Sequence, residues 1–130
     1  MTAGPAENDK RGGTTMALQI FGTRKCPATR KAERFFKERD VDYHFVDIAE
    51  KGIAPGELRA IGKAAGIDAL IDKESKRYRD RGLEHMDYDP EEELLAHPLL
   101  LRTPIVRDGP RAVIGENPAA WAEFATASGD

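Results

Sequence analysis

The chain has 130 residues, which suits one domain and is long enough to bury a core without disulfide bonds. Its 20 basic and 23 acidic side chains give a net charge of −3, so the chain lacks the overall basic character typical of nucleic-acid-binding proteins. The single cysteine excludes an internal disulfide, and cysteine and histidine are too sparse for a structural zinc site.

The first residues, 1–15, are rich in glycine, proline and threonine and have no periodic apolar pattern, which predicts a disordered tail. One domain is then expected over residues 16–126. No apolar run approaches the length of a membrane span, and the N-terminus lacks the apolar core of a secretory signal. We therefore expect a cytoplasmic protein with no membrane partner and no nucleic-acid partner.

A buried strand is predicted over residues 17–21 and a helix over residues 27–39. In that helix, apolar residues from Ala28 to Phe36 recur with the spacing of one helix face. Residues 41–48 are rich in β-branched and aromatic residues and predict a second strand. A strand, a helix and a strand in this order predict a parallel pair with a right-handed crossover.

Residues 50–97 predict an all-helical insertion. Within it, Leu58 and Ile61 have helical spacing, and Gly66 is suited to end their helix. The charged segment over 73–81 suggests either a phosphate or RNA patch or a solvated helix face. The interleaved acidic residues favour the solvated helix.

The last third of the chain returns to strands, which are predicted over residues 103–107 and 111–115. The Asp108–Gly109–Pro110 turn between them predicts an antiparallel hairpin. A final helix is expected to begin at Asn117–Pro118, with Trp121 in the core. The order βαβ, helical insertion, ββα predicts an α/β fold with a small mixed sheet flanked by helices.

Cys26 lies between the first strand and the first helix, at the helix N-terminus. Pro27 supports this placement because proline suits the first helical position. The helix dipole and the unpaired N–H groups there stabilise a thiolate and lower its pKa, and Arg24, Lys25 and Arg30 add positive charge. A lone cysteine can instead be a small buried apolar residue. The polar and cationic neighbours of Cys26 favour a reactive thiol. The three histidines lack the spacing to act with Cys26 or to bind a metal, so no metal site is expected.

The chain resembles the arsenate reductase family of thioredoxin-like proteins, which also includes the Spx-type regulators. The resemblance spans residues 17–125 and is strongest to small glutaredoxin-like members. It is carried by IFG at 20–22, CPATRKA at 26–32, ALI at 69–71 with Tyr78, HPLLLRTPIV at 97–106 and IGENPAAW at 114–121.

This resemblance implies a thioredoxin-like fold and a nucleophilic cysteine in a C-x-x-x-R motif, which Cys26 and Arg30 match. Family members bind an oxyanion with further arginines. Thr103 stands at one of those positions with Arg102 beside it, Asp72 stands at a second, and Arg111 matches a third.

The Thr103–Pro104 pair resembles glutaredoxins, in which the proline is usually cis and the backbone pairs with the glutathione peptide. The resemblance therefore implies a site made of catalytic residues and substrate-binding residues. The expected catalytic residues are Cys26 and Arg30, and the expected substrate-binding residues are Arg24, Arg102, Thr103, Pro104 and Arg111.

The implied function is that of a thiol-dependent oxidoreductase acting on a small oxyanion or a glutathione disulfide. It would be a monomer with no bound cofactor. With one cysteine, its intermediate must be resolved by glutathione or another external thiol, and glutaredoxin or thioredoxin is a candidate protein partner. The alternative is an Spx-like protein that binds RNA polymerase or another partner without turnover. Thr29 stands where the C-x-x-C switch of such regulators has its second cysteine.

Overall fold

The computed structural model describes residues 18–129 of the 130, with side chains described up to residue 126. The tail predicted at 1–15 and the start of the predicted domain lie outside the described residues. Within the described range, no helix is long and apolar enough to cross a membrane.

The described chain contains four strands and six helices in the order βαβ, helical insertion, ββα. They are β1 (Leu18–Gly22), α1 (Pro27–Glu38), β2 (Tyr43–Asp47), α2 (Ile48–Lys51), α3 (Pro55–Ala65), α4 (Lys76–Asp80), α5 (Pro90–Ala96), β3 (Ile105–Asp108), β4 (Arg111–Ile114) and α6 (Pro118–Gly129). Short 3-10 turns lie at Ile67–Leu70, Leu83–His85 and Pro98–Leu100.

The four strands form one mixed sheet in the order β2-β1-β3-β4. Strand β1 is parallel to β2 and antiparallel to β3, and β3 is antiparallel to β4. Phe21 of β1 lies opposite Val46 on one side and Ile105 on the other. The parallel pair, the hairpin and the thioredoxin-like α/β fold predicted above are therefore confirmed.

The two faces of the sheet are covered by different parts of the chain. Ile20 and Val106 point into a core with α1 and α6, whereas Phe21 and Ile105 point into a core built by the helical insertion. This division follows from the alternation of side chains along a strand. Because both faces are covered, β1 is apolar throughout most of its length rather than strictly alternating.

The observed bounds of α4 and β3 differ from the predicted ones. The helix predicted over 73–81 is confined to α4, because Ser75 caps its start by accepting a hydrogen bond from the Tyr78 amide. Tyr78 is buried, so this segment contributes to the core and is not solely a solvated face. Strand β3 begins at Ile105, two residues later than predicted.

Trp121 anchors α6 on α1. Its side chain is fully buried, and its ring lies 5.6 Å from the Phe35 ring and 6.5 Å from the Phe36 ring, measured between centroids. Aromatic pairs at these separations add to the stabilisation from buried area. The α1–α6 contact thus depends on one side chain more than on any other in α6.

Replacing Trp121 by Ala should lower the free energy of unfolding by about 3–5 kcal/mol, because a large cavity would remain between α1 and α6. Urea denaturation followed by circular dichroism measures this change. Glu123→Ala is the matched control, since Glu123 is exposed on the same helix and its loss should cost less than about 0.5 kcal/mol. Equal effects of the two substitutions would contradict the assigned packing.

Candidate functional site

Cys26 closes the turn that joins β1 to α1. Its amide donates to the Thr23 carbonyl at 3.2 Å, and its own carbonyl accepts from the Arg30 amide at 3.1 Å. Its backbone is extended, and Pro27 occupies the first helical position, so Cys26 is the N-cap residue of α1. The thiol is half-buried at a helix end where backbone N–H groups lack helical partners.

Thr103 is brought to Cys26 by the pairing of β1 with β3. Since Ile105 lies opposite Phe21, the residues before Ile105 extend past the end of β1 toward the turn. The Thr103 hydroxyl donates to Cys26 Sγ at 3.2 Å, and the thiol lies 4.0 Å from the Thr103 carbonyl oxygen. The Thr103–Pro104 peptide bond is cis, and Pro104 is buried.

The environment of the sulfur favours the thiolate. Burial of the thiol alone raises the pKa of Cys26, but nearby donors outweigh this effect and the net pKa is lowered. Among the groups that lower the pKa, the Thr103 hydroxyl has the largest effect, followed by the Thr29 hydroxyl and the amides of Thr29 and Ala28. These donors are uncharged, so dipoles rather than a neighbouring cation lower the pKa.

Thr29 has an unusual side chain for the first turn of a helix. The residue is fully buried, and its Oγ1 has no hydrogen bond of acceptable geometry among the described residues. The side chain instead packs directly against Gly22, the last residue of β1.

Arg24 is directed away from the sulfur and toward β2. Its Nε lies 3.8 Å from an Asp47 carboxylate oxygen, and its guanidinium stacks over the Phe45 ring at 5.1 Å. Asp47 is buried and also accepts from the Ala49 amide at 3.0 Å. Arg24 thus ties the turn before Cys26 to the end of β2.

Arg30 and Arg102 are both exposed, Arg30 in the first turns of α1 and Arg102 directly before Thr103. Neither guanidinium has a hydrogen-bond or ion-pair partner among the side chains of residues 18–126. Arg30 lines a shallow groove of about 480 Å³ on the outer face of α1, together with Glu33 and Arg34. The Arg102 backbone is held by its amide, which donates to the Leu70 carbonyl at 2.7 Å.

Arg111 lies at the opposite end of the sheet, so its predicted place in the site is corrected. It begins β4 and pairs with Asp108, whereas the end of β4 nearest the turn is Ile114, which pairs with Ile105. Its guanidinium bonds Asp108 at 2.9 Å and stacks on the Phe124 ring at 4.6 Å. The hairpin turn at residues 108–110 sets this separation, because it puts Arg111 beside the turn and Thr103 at the other end of the hairpin.

Asp72 uses its carboxylate within its own turn. It accepts from the Glu74 amide at 3.2 Å, just before α4. Within residues 18–126, no cluster of three histidine, cysteine or carboxylate side chains could hold a metal ion. The chemistry available at this site is therefore that of one thiol, two threonine hydroxyls and backbone amides.

Sequence reasoning singled out Cys26 and Thr103 but missed Asp47, Gly22 and the contribution of Thr29. Asp47 had a usable signal, because the C-terminal ends of parallel strands meet at one edge of a sheet and Asp47 lies opposite Gly22. The contact between Gly22 and Thr29 had no such signal, since it depends on how closely α1 packs on β1.

Replacing Thr103 by Val should raise the pKa of Cys26 by about one unit, because the main hydroxyl donor to the sulfur is lost. In the unchanged protein these donors lower the pKa, so its alkylation midpoint should lie below that of the Thr103→Val protein. The pH dependence of iodoacetamide alkylation measures both midpoints. Thr103→Ser keeps the hydroxyl and should keep the low midpoint, whereas equal midpoints for Val and Ser would contradict this role.

Comparison with known proteins places the chain in a family. The model of the ArsC family matches residues 21–124. The global transcriptional regulator Spx 2 of Oceanobacillus iheyensis is 32% identical over 106 residues, which cover 77% of each chain.

Two solved structures share the fold. The YffB (PA3664) protein has a TM-score of 0.75 at 25% identity, covering 82% of this chain and 97% of its own. An arsenate reductase from Vibrio cholerae has a TM-score of 0.74 at 19% identity, covering 85% of this chain and 98% of its own. The family match over residues 21–124, together with the shared fold, shows that the chain belongs to the ArsC family.

Proposed function

We propose that the protein is a monothiol oxidoreductase in which the Cys26 thiolate attacks a disulfide of the glutathione type. One observation carries the proposal: a half-buried thiol at the N-terminus of α1 accepts a hydrogen bond from the Thr103 hydroxyl at 3.2 Å. Membership of the ArsC family supports thiol-dependent redox chemistry at this position.

The reaction has two displacements. The Cys26 thiolate attacks one sulfur of a glutathione mixed disulfide, a Cys26–glutathione disulfide forms, and the other sulfur leaves as a thiolate. An external thiolate then attacks the glutathione sulfur, and the electron pair of the broken S–S bond returns to Cys26. The external thiol is required because the chain has no second cysteine.

The charges around the site favour a disulfide over arsenate. A multiply charged oxyanion needs cations in a fixed arrangement. Arg24 is engaged with Asp47 and Phe45, and Arg111 lies at the far end of the sheet. Neutral hydroxyl and amide donors suit a thiolate leaving group, which carries a single charge.

The remaining predicted residues take roles around a peptide-like thiol. Arg30 and Arg102 are exposed beside the turn, where they would attract the carboxylates of glutathione. The backbone at Thr103 and Pro104 would pair with the peptide of the bound thiol. These two arginines therefore supply attraction rather than a buried oxyanion site.

A non-enzymatic regulator is the second candidate, because relatives about 30% identical are named global transcriptional regulators. In that case Cys26 would be a sensor that glutathione modifies, and the protein would act by binding RNA polymerase or another partner. Thr29 argues against an internal disulfide switch, since the switch requires a second thiol.

Incubation with oxidised glutathione should add one glutathione to the protein, and Cys26→Ser should abolish the adduct. Mass spectrometry measures the adduct, and turnover is followed as reduction of a small mixed disulfide by glutathione. Arg111→Gln is the control and should keep at least about half the activity, because Arg111 is remote from Cys26.

Three other outcomes would change the assignment. A stable arsenate-dependent adduct without a glutathione adduct would show that the substrate is the oxyanion and not the disulfide. A glutathione adduct without turnover would favour the regulator. Turnover that survives Cys26→Ser would overturn the mechanism.

A further inference from the structure

Exposed cations form a line along α1 that begins at the thiol. Arg30, Arg34 and Lys37 follow one another at helical spacing, which places them on one face of the helix. Cys26 precedes Arg30 by one helical turn, and its carbonyl accepts a hydrogen bond from the Arg30 amide at 3.1 Å. All three basic side chains are exposed, and all three line the shallow groove on this face. We call Arg30, Arg34 and Lys37 the cationic ridge.

The charge of this part of the chain is opposite to that of the whole protein. Residues 24–39 contain seven basic and two acidic side chains, in a chain whose net charge is −3. Within residues 18–126, the side chains of Arg34 and Lys37 have no hydrogen-bond or ion-pair partner. The Glu33 carboxylate turns toward β2, where it accepts from the Tyr43 hydroxyl at 2.8 Å. The ridge is therefore open to an acidic partner.

The ridge extends further from the thiol than glutathione can reach. At about 1.5 Å per residue, the helix rises about 16 Å between Cys26 and Lys37. A fully extended tripeptide spans only about 10 Å, and glutathione binds a thiol through its middle residue, so each end reaches about half of that. Arg34 and Lys37 thus lie beyond a bound glutathione. An extended polypeptide of about five residues would be long enough to follow the ridge.

We propose that the cationic ridge is the docking surface for a polypeptide substrate that carries acidic residues beside a glutathionylated cysteine. The proposal rests on the proposed function, because Cys26 must attack a glutathione mixed disulfide, and it names the other half of that disulfide. Carboxylates of the polypeptide would lie on Arg34 and Lys37 while the disulfide reaches Cys26. Complementary charges of this kind raise the association rate, and salt screens them.

The chemistry is that of the two displacements. The Cys26 thiolate attacks the glutathione sulfur, the bond between that sulfur and the polypeptide sulfur breaks, and the polypeptide cysteine leaves as a thiolate with the electron pair. The thiolate of a free glutathione then attacks the glutathione sulfur on Cys26. This step releases oxidised glutathione and returns the electron pair of the broken bond to Cys26. The polypeptide thiol is thereby reduced.

A nucleic acid fits this surface less well than an acidic polypeptide. Glu33 and Glu38 line the same groove as the ridge. A phosphate backbone laid along the groove would carry a charge at every nucleotide and would meet both carboxylates. A polypeptide can place its acidic side chains opposite the cations and neutral ones opposite Glu33 and Glu38. The interleaved charges therefore favour the polypeptide.

Two glutathionylated peptides of equal length test the preference. In one peptide about five glutamates flank the cysteine on each side, and in the other glutamines replace them. The unchanged protein should reduce the acidic peptide with a kcat/KM at least about fivefold higher at low ionic strength, because the ridge attracts it. The preference should largely disappear at about 0.5 M salt. Equal kcat/KM values for the two peptides at low ionic strength would overturn the proposal.

The double variant Arg34→Glu with Lys37→Glu tests the ridge itself. It should lower kcat/KM for the acidic peptide about tenfold, and it should leave the reduction of a small glutathione mixed disulfide within about twofold. Arg30 is left unchanged because it lies closest to the thiol. An equal loss for all substrates would show damage to the site and would overturn the docking role, as would the absence of any loss.

Lys63→Glu with Arg77→Glu is the matched control. Both residues are exposed, and Lys63 lies in the last turn of its helix as Lys37 does in α1. They belong to α3 and α4, which pack on the opposite face of the sheet from α1. The control changes the net charge equally and should keep the preference for the acidic peptide. Loss of the preference in the control would show an effect of net charge and would overturn the ridge.

Two further measurements secure the result. Circular dichroism checks that the charge-reversed ridge is folded, and Arg34→Gln with Lys37→Gln, which only removes charge, should give a smaller loss in the same direction. Retention of a single-stranded oligonucleotide by the unchanged protein, without any preference for the acidic peptide, would assign the ridge to nucleic acid and overturn the proposal.

Binding without turnover separates this proposal from the proposed function. The Cys26→Ser protein should bind a fluorescently labelled acidic peptide in which serine replaces cysteine, and the binding should weaken with salt and with the charge-reversed ridge. Such binding, with no turnover of any mixed disulfide by the unchanged protein, would refute the proposed function and leave the docking surface. Turnover of the small mixed disulfide with no preference between the peptides would refute the docking surface and leave the function.

Discussion

The register between β1 and β3 is the constraint on which the site depends. It places Ile105 opposite Phe21, and so carries the two residues before Ile105 over the turn that holds Cys26. The Thr103–Cys26 hydrogen bond then joins segments 77 residues apart. A shift of one residue in this pairing would also turn each side chain of the strand toward the opposite core. The burial of Ile20 in one core and Phe21 in the other therefore stabilises the register on which the site depends.

The donors that act on the sulfur in this structure are hydroxyls and amides and not cations. A guanidinium near the sulfur would stabilise the thiolate and would also attract an oxyanion substrate. A neutral hydroxyl stabilises the thiolate by a hydrogen bond but attracts an oxyanion only weakly. The described contacts engage Arg24 and Arg111 elsewhere. Family membership and the local chemistry are therefore separate arguments: membership rests on the match over residues 21–124, and the proposed disulfide substrate rests on the donors around the sulfur.

Much of the fold could be predicted because local patterns and chain order determine it. Helical spacing located α1 and α3, and proline at the helix start located α6. Cys26 was singled out from its position at a helix start, and Thr103 was expected at the site from the resemblance. Arg111 was assigned to the site from the resemblance alone, although the predicted hairpin turn at 108–110 already put it at the end away from Thr103. The packing of Thr29 on Gly22 was not predicted either, because distances of a few ångströms between elements leave no periodic signal.

The helical insertion contributes to the site through its backbone. The Asp72 amide donates to the Leu100 carbonyl at 2.8 Å, and the Arg102 amide donates to the Leu70 carbonyl at 2.7 Å. These bonds hold the backbone that leads into Thr103. The insertion therefore helps to position the Thr103 hydroxyl beside the thiol. The Asp72 carboxylate also accepts a hydrogen bond from the Glu74 amide in the turn before α4. An arginine at position 72 would remove this acceptor. Asp72 therefore serves its own turn with a negative charge, at a position where the resemblance implies an arginine.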